Sequence, residues 1–207
     1  MGRTFSLGKA APMATDSNAT NSNAINSNAP GLHILIVVDM QNDFISGSLG
    51  TPEAQAILDG AVAKVRNWQG EVLYTLDTHG PDYAETQEGK RLPVPHCIKG
   101  TDGWRVPNTL QKALDAHGAQ AFEKGAFGSP QLAQALAERN TREPIASIEL
   151  IGICTDICVV SNALLIKAFL PEVPVSVDAS LCAGVTPAAH EAALTTMESC
   201  QVEVLNR

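Results

Sequence analysis

From residue 33 to the C-terminus, short apolar runs of strand length alternate with stretches whose apolar residues recur at helical spacing. The first run, residues 34–38, consists only of Ile, Leu and Val, which is typical of a strand buried on both faces. Strands that alternate with helices predict a parallel sheet with helices on both faces and right-handed crossovers. We therefore expect an α/β fold, a three-layer αβα sandwich around a mostly parallel, doubly wound sheet of about six strands.

The predicted elements can be placed along the chain. Strands are expected at 34–38, 71–76, 120–123, 147–153, 173–177 and 201–205. Helices are expected at 52–68, 129–139 and 156–170, with a last one that begins near Pro187. A loop rich in Pro and Gly is expected at 78–107. Because ligand sites in such sheets lie beyond the carboxyl ends of the strands, polar residues that directly follow strands become the site candidates.

Residues 1–30 differ in composition from the rest of the chain. They are polar and repeat the triplet Ser-Asn-Ala at Ser17, Ser22 and Ser27. Such a segment buries too little apolar surface to offset the entropy that ordering would cost. We therefore expect a disordered tail over residues 1–30 and one compact domain over residues 31–207.

Composition excludes several classes of function. The formal net charge is −8 and Lys and Arg are not clustered, whereas a nucleic-acid surface needs clustered basic residues. No apolar stretch approaches the roughly 20 residues that span a membrane, and the N-terminus lacks the apolar segment of a secretory signal. The five cysteines form an odd, irregularly spaced set, which indicates reduced thiols. We therefore expect a cytoplasmic protein that binds neither nucleic acid nor membranes.

The segment 150–163 places one cysteine at the start of a helix. An Ile-rich strand pattern ends at Thr155 and Asp156, two good N-cap residues, and apolar residues then recur at helical spacing. Cys158 is therefore expected in the first helical turn, where backbone N–H groups and the helix dipole favour a thiolate over a thiol. For a cysteine taken alone, simple packing of the helix start is the more common role.

Three reactive side chains follow predicted strands and converge on one edge of the sheet. Asp39 follows the first strand, Lys124 the third and Cys158 the fourth. Asp39 could take the proton of Cys158 and later give it to a leaving amine. Lys124 could hold both groups in their charged forms and stabilise negative charge in the transition state. A turn cap for Asp39 and a surface charge for Lys124 are the alternatives for each residue alone, but the three together predict nucleophilic catalysis.

Two motifs carry a resemblance to a known family. They are 37–44, Val-Val-Asp-Met-Gln-Asn-Asp-Phe, and 152–159, Gly-Ile-Cys-Thr-Asp-Ile-Cys-Val, with Lys124 in its position after a strand. From His33 onward the chain resembles the isochorismatase-like cysteine hydrolases, and among them most closely the nicotinamidases/pyrazinamidases. The resemblance implies a triad of Asp39, Lys124 and Cys158, a thioester intermediate, and an oxyanion hole from the backbone N–H groups of Cys154 and Cys158. It also implies a cis peptide bond before Cys154.

A second group of residues points to a metal. Asp77 and His79 follow the second predicted strand on the same side of the chain, and the long loop could return His96 to them. Two solvated histidines are the alternative. The resemblance to nicotinamidases implies that these three residues bind one divalent metal ion, Zn²⁺ or Fe²⁺/Mn²⁺. It also implies a fourth carboxylate ligand, for which Glu88 is the candidate and Glu85 its competitor.

Two features depart from the nicotinamidase pattern. An aromatic residue that stacks on the substrate ring commonly precedes the Pro-x-His segment, and Leu92-Pro93-Val94 stands there instead. The usual second His after Asp-x-His is also absent, and Tyr83 lies in that region. Phe44 and Trp104 could supply a flat apolar wall, although Trp104 could equally be structural.

Together with the resemblance, these observations predict a metal-assisted amidohydrolase, similar to nicotinamidase, that hydrolyses a small heteroaromatic primary amide to a carboxylate and ammonia; the resemblance implies that the route runs through a thioester. The metal is expected to anchor a ring nitrogen of the substrate or a water. Another amide, a carbamoyl compound or a vinyl ether is the alternative substrate, and a receiver-like binding or signalling domain is the alternative class. The family often forms homo-oligomers, and we expect the helix face with Ala163, Ile166, Lys167 and Leu170 to be exposed for self-association.

Overall fold

Six parallel strands form one sheet in the order β3-β2-β1-β4-β5-β6. The computed structural model describes residues 31–207, so the tail predicted at 1–30 lies outside the described residues. The strands are β1 Leu32–Val38, β2 Glu71–Asp77, β3 Gln120–Lys124, β4 Ile145–Ile153, β5 Val175–Ala183 and β6 Val202–Leu205. Since the strand order reverses between β1 and β4, a crevice is expected beyond the carboxyl ends of these two strands.

Seven α-helices connect the strands of the described chain. They are α1 Asn42–Ile45, α2 Pro52–Asn67, α3 Gln87–Arg91, α4 Asn108–Ala116, α5 Pro130–Arg142, α6 Val160–Phe169 and α7 Pro187–Ser199. Three of them, α2, α5 and α7, begin in the same way, with a Ser or Thr that caps a backbone N–H and a Pro directly after it. Since Pro needs no N–H partner and has a helical φ, this dipeptide fixes where each helix starts.

Apolar side chains of the sheet pack in two separate cores, one on each face. In β1, Ile34, Ile36 and Val38 belong to one core, while Leu35 and Val37 belong to the other. The first core packs against α5, α6 and α7, and the second against α2 and α4. This arrangement confirms the three-layer αβα sandwich and explains why the first strand is apolar without alternation.

The structure corrects several predicted bounds. Strand β5 continues to Ala183, whereas the pattern predicted its end at residue 177 because polar Asp178 follows. Asp178 stays in the strand because its carboxylate is buried with two partners, the Lys64 ammonium at 3.4 Å and the Ser180 hydroxyl at 2.7 Å. Helix α4 was missed altogether, and the loop predicted at 78–107 contains a 3₁₀ turn, Tyr83–Glu85, and α3.

The face predicted for self-association is not exposed. Ala163, Ile166 and Leu170 are buried in the core on the α6 side of the sheet, so that expectation is wrong. Homo-oligomer formation and a cytoplasmic location stay predictions from the sequence. All five cysteines are free. None of the helices within residues 31–207 has the length and apolar composition that crossing a bilayer requires.

Candidate active site

The carboxyl ends of four neighbouring strands bring the predicted site residues together. Asp39 directly follows β1, Asp77 and Lys124 are paired end residues of β2 and β3, and Cys158 lies in the turn after β4. Gly152 in β4 lets this turn approach β1, because it has a φ of +127° and any Cβ there would collide with the Val38 carbonyl oxygen. The predicted convergence of three distant segments is therefore present in the structure.

Lys124 is the centre of the acid, amine and thiol group. Its Nζ lies 2.6 Å from Oδ2 of Asp39 and 3.5 Å from Sγ of Cys158. The exposed fractions of Asp39, Lys124 and Cys158 are 0%, 3% and 5%. A buried ammonium between a carboxylate and a sulfur can stabilise a negative charge on the carboxylate or on the sulfur, whichever of the two has lost the proton.

Two neighbours of this group escaped the sequence analysis. Thr75 in β2 donates a 2.6 Å hydrogen bond to Oδ1 of Asp39, whose φ is +48°. Gln41 accepts from the Asp77 N–H at 2.8 Å and donates to the Asp77 carbonyl at 2.9 Å. Both polar side chains are fully buried. The sequence signal for Thr75 is its place as a polar residue inside the strand Glu71–Asp77, whereas Gln41 has no comparable signal.

The electrostatic surroundings set the resting protonation of the group. Burial raises the pKa of the Asp39 carboxyl, and the Lys124 ammonium opposes this only in part. Burial alone would lower the pKa of Lys124, but the negative charge of Asp39, that of the Cys158 sulfur whenever it is ionised, and that of Asp77 raise it well above its usual range. Lys124 therefore stays an ammonium, while Asp39 is well suited to exchange a proton.

Cys158 differs from the expected resting thiolate. Burial raises the pKa of the Cys158 thiol well above its usual range, the Asp39 carboxylate raises it further, and Lys124 opposes both. The helix dipole favours the thiolate, but desolvation by the surrounding core outweighs it. Burial therefore favours a thiol at Cys158 over the thiolate that the helix dipole alone predicts.

The turn that carries Cys158 is π-helical, spans Thr155–Val159 and leads directly into α6. Neither Thr155 nor Asp156 caps a helix, so the predicted N-cap is wrong. The Thr155 hydroxyl pairs with Nδ1 of His190 at 2.8 Å, and the Asp156 carboxylate accepts the Val185 N–H at 2.9 Å. These side chains tie the turn to α7 and the segment before it. The Ile153–Cys154 peptide bond is cis, as the family resemblance implies.

Asp77, His79, Glu88 and His96 form a second cluster, whose ligand atoms all lie within 4.8 Å of one another. Nε2 of His96 lies 3.6 Å from both Oδ2 of Asp77 and Oε1 of Glu88. Nδ1 of His96 is 2.9 Å from the Val94 carbonyl, a contact that fixes the ring and leaves Nε2 for the cluster. Two imidazoles and two carboxylates form a donor set that suits Zn²⁺, Fe²⁺ or Mn²⁺.

Asp77 joins the two groups of side chains. Its Oδ1 lies 3.4 Å from Nζ of Lys124, while its Oδ2 lies 2.9 Å from Nε2 of His79. Burial would raise the pKa of Asp77, but hydrogen bonds from His79 and His96 and the charge of Lys124 hold it well below its usual range. Burial would likewise lower the pKa of His96, but Asp77 and Glu88 raise it to about 10. One carboxylate is therefore shared by the triad and the ligand cluster.

Aromatic rings surround the ligand cluster. The Tyr83 ring lies 4.8 Å from the His79 ring and 5.0 Å from the His96 ring between centroids, and the Phe44 ring lies 5.4 Å from His96. Trp104 donates a 2.9 Å hydrogen bond from Nε1 to the Thr78 hydroxyl, which gives it a structural role at the end of β2. Substrate contacts of Phe44 and Trp104 stay predictions.

Comparisons with known proteins give one consistent family. The family model described as Isochorismatase domain matches residues 33–207. The nicotinamidase/pyrazinamidase of Mycobacterium tuberculosis is 29% identical over 191 residues, which cover 84% of this chain and 98% of that protein. The crystal structure of nicotinamidase/pyrazinamidase from Bacillus subtilis has a TM-score of 0.72 and 28% identity, over 84% of this chain and 100% of that chain.

A third relative shares the fold. The crystal structure of the pyrazinamidase of Pyrococcus horikoshii, in complex with zinc, has a TM-score of 0.66 and 23% identity. The match covers 84% of this chain and 99% of that chain. The matches therefore extend over nearly the whole length of these proteins.

Proposed function

This chain belongs to the isochorismatase domain family, and from that membership we propose that it is a cysteine amidohydrolase, similar to nicotinamidase, that hydrolyses a small heteroaromatic primary amide to a carboxylate and ammonia. The observation that carries the proposal is the buried Lys124 ammonium, 2.6 Å from the Asp39 carboxylate and 3.5 Å from the Cys158 sulfur. This arrangement suits acyl transfer through sulfur. It does not suit the receiver-like alternative, since phosphorylation of an Asp requires no thiol.

In the first half of the proposed reaction, the Cys158 sulfur attacks the amide carbonyl while Asp39 takes the thiol proton. The C–N bond then breaks, Asp39 gives its proton to the leaving nitrogen, and ammonia departs from a thioester. Lys124 stays charged and stabilises the carboxylate and the sulfur when either is negative. The backbone N–H groups of Cys154 and Cys158 would bind the carbonyl oxygen as it becomes negative.

In the second half, water hydrolyses the thioester. Asp39 removes a proton from the attacking water, the C–S bond breaks, and the sulfur leaves as Cys158 regains a proton. The raised pKa of Asp39, caused by burial, supports both directions of transfer, because a carboxylate of ordinary pKa would be a weaker base.

We propose that Asp77, His79, Glu88 and His96 hold one divalent metal ion beside the triad. The chemistry of the four donors and their spacing support this set. When bound, the ion would act as a Lewis acid that orients the substrate or a water. The chain's own contribution is to orient the donors, as the contact of His96 with the Val94 carbonyl does.

The Zn²⁺ affinity of variants at two glutamates of the same loop tests whether Glu88 is a ligand. Glu88→Gln is expected to weaken Zn²⁺ affinity at least about tenfold, because it removes a carboxylate charge from the cluster. Glu85→Gln is the matched control, since Glu85 lies outside the cluster, and it should change the affinity less than about twofold. Competition with a chromophoric chelator measures both. Equal effects of the two substitutions would contradict the assignment of Glu88.

The proposed activity is tested by ammonia release from the metal-loaded enzyme. Nicotinamide and pyrazinamide are expected to be hydrolysed, with kcat/KM in the range of about 10⁴–10⁸ M⁻¹s⁻¹ that is common for natural substrates. The metal is expected to anchor the ring nitrogen of nicotinamide and pyrazinamide. Benzamide lacks a ring nitrogen and should therefore be hydrolysed more slowly. Absence of ammonia from all three compounds would contradict the proposed substrate class.

One observation favours an aliphatic amide or carbamoyl compound as the second candidate substrate. In the region where nicotinamidases commonly carry a stacking aromatic residue, this chain has Leu92-Pro93-Val94, and Leu92 is 38% exposed. Its carbonyl accepts a 2.9 Å hydrogen bond from Tyr83, which fixes the backbone there. Including an N-carbamoyl amino acid and a short aliphatic amide in the same screen distinguishes the two candidates.

A further inference from the structure

Asn162 connects the turn that carries Cys158 to the loop that follows Lys124. It lies in the first turn of α6, and only 1% of it is exposed. Its Nδ2 donates to the Cys158 carbonyl at 2.8 Å and to the Phe127 carbonyl at 3.1 Å. Its Oδ1 accepts the Ser129 backbone N–H at 2.9 Å. One buried amide therefore bonds the backbone of both segments.

The three partners fix the orientation of the amide. The carbonyl oxygens of Cys158 and Phe127 need a donor, which is the NH₂ group of Asn162, and the Ser129 N–H needs an acceptor, which is the amide oxygen. The flipped amide, with its nitrogen and oxygen exchanged, would satisfy none of these partners. Both N–H donors of the side chain are used. A buried amide with this many partners is held in one rotamer and holds its partners in turn.

These hydrogen bonds, together with the chain between Lys124 and Phe127, form a closed ring of contacts that includes the Cys158 sulfur. From Lys124 the chain runs three residues to Phe127, whose carbonyl is bonded to Asn162, and Asn162 is bonded to the Cys158 carbonyl. The ring is completed by the 3.5 Å contact between the Cys158 sulfur and the Lys124 ammonium. The separation of these two catalytic groups therefore depends on the bridge as well as on the sheet.

We propose that Asn162 is a positioning residue for hydrolysis, which sets the approach of the Lys124 ammonium to the Cys158 sulfur by bonding the backbones of both segments. The effect of Asn162 on the rate of hydrolysis rests on the amidohydrolase activity proposed above. Asn162 does not touch the reacting atoms and acts through the two residues that do. Small displacements of such groups cost large factors in rate, on the order of 100-fold for about 1 Å.

Two substitutions and one control separate positioning from simple stability. Asn162→Leu keeps the size of the side chain and removes all three hydrogen bonds. Asn162→Thr keeps a hydroxyl that can bond the carbonyl one turn back but is too short to reach the loop. The control is Ser129→Ala, which removes the N-cap hydrogen bond that the Leu132 N–H donates to the Ser129 hydroxyl and leaves the backbone N–H that Asn162 binds.

With nicotinamide as substrate, Asn162→Leu is expected to lower kcat by about 10- to 100-fold and to leave KM within about twofold. Asn162→Thr should lower kcat by about tenfold. Ser129→Ala should lower the urea midpoint of unfolding, since a helix cap is lost, and keep kcat within about twofold. Equal losses of kcat in Asn162→Leu and Ser129→Ala would overturn the proposal. If Asn162→Leu does not fold, the same comparison is made with Asn162→Thr.

A second measurement does not depend on the substrate. Iodoacetamide alkylation of Cys158, followed by mass spectrometry of its peptide, should be at least about tenfold slower in Asn162→Leu, because the Lys124 ammonium that stabilises the thiolate is no longer held close to the sulfur. In Ser129→Ala the rate should change less than about twofold. An unchanged or faster reaction in Asn162→Leu would overturn the proposal. If the wild type releases no ammonia, the proposed function fails, and the alkylation rates still decide the role of Asn162.

Discussion

Replacing Cys158 by alanine is expected to abolish amide hydrolysis, with a loss of about 10⁴-fold or more in kcat. The sulfur is the only side-chain group of the proposed mechanism that forms a bond to the substrate carbon, so no neighbouring side chain can take its place. Binding should persist, because Asp39, Lys124 and the ligand cluster remain in place around a slightly enlarged pocket. Ammonia release measures the loss of turnover, and titration calorimetry with nicotinamide measures the binding that remains.

The chain offers a matched control for this substitution. Cys200 lies at the end of α7, is exposed and is far in sequence from the site, so Cys200→Ala should leave kcat within about twofold. Acid quenching of the wild-type reaction should trap an acyl group on the peptide that contains Cys158, and on no other cysteine peptide. Turnover above about a tenth of the wild-type rate in Cys158→Ala would exclude the thioester route.

The fold could be predicted because its signals are local and repeated. Apolar runs such as 34–38 specify buried strands, and Ser-Pro or Thr-Pro pairs specify helix starts. The errors arose where tertiary contacts override a local signal. Asp178 reads as the end of a strand, yet partners supplied by Lys64 and Ser180 let β5 continue past it. Leu170 and its neighbours read as an exposed face, yet the sheet and other helices cover them.

The convergence of Asp39, Lys124 and Cys158 could be predicted because the strand ends and the family motifs coincide there. The direction in which the pKa of Cys158 shifts could not be predicted from the sequence, because desolvation depends on how much of the core surrounds the sulfur. Glu88 could not be distinguished from Glu85 either. Both lie in the same loop, and only the fold of that loop brings Glu88 to the histidines.

Replacing Lys124 by methionine is expected to affect both catalysis and stability. Loss of the ammonium should lower kcat by about 10²- to 10³-fold, because the carboxylate and the sulfur lose the cation that stabilises their charge. It should also lower the free energy of unfolding by about 3–5 kcal/mol near neutral pH, since Asp39 and Asp77 are left buried without it. The control is Lys99→Met, because Lys99 forms an exposed ion pair with Glu123 that is worth at most about 1 kcal/mol.

The stability loss should depend on pH in one direction. Burial already raises the pKa of Asp39, and removing Lys124 takes away the largest influence that lowers it. A carboxyl whose folded pKa is raised adds stability below its unfolded pKa, and this contribution is lost as the pH rises through the folded pKa. The difference between wild type and Lys124→Met should therefore be small near pH 4 and grow toward pH 7.5. Urea unfolding with a chelator present measures it, and an equal difference at both pH values would show that Lys124 does not compensate the buried Asp39 carboxylate.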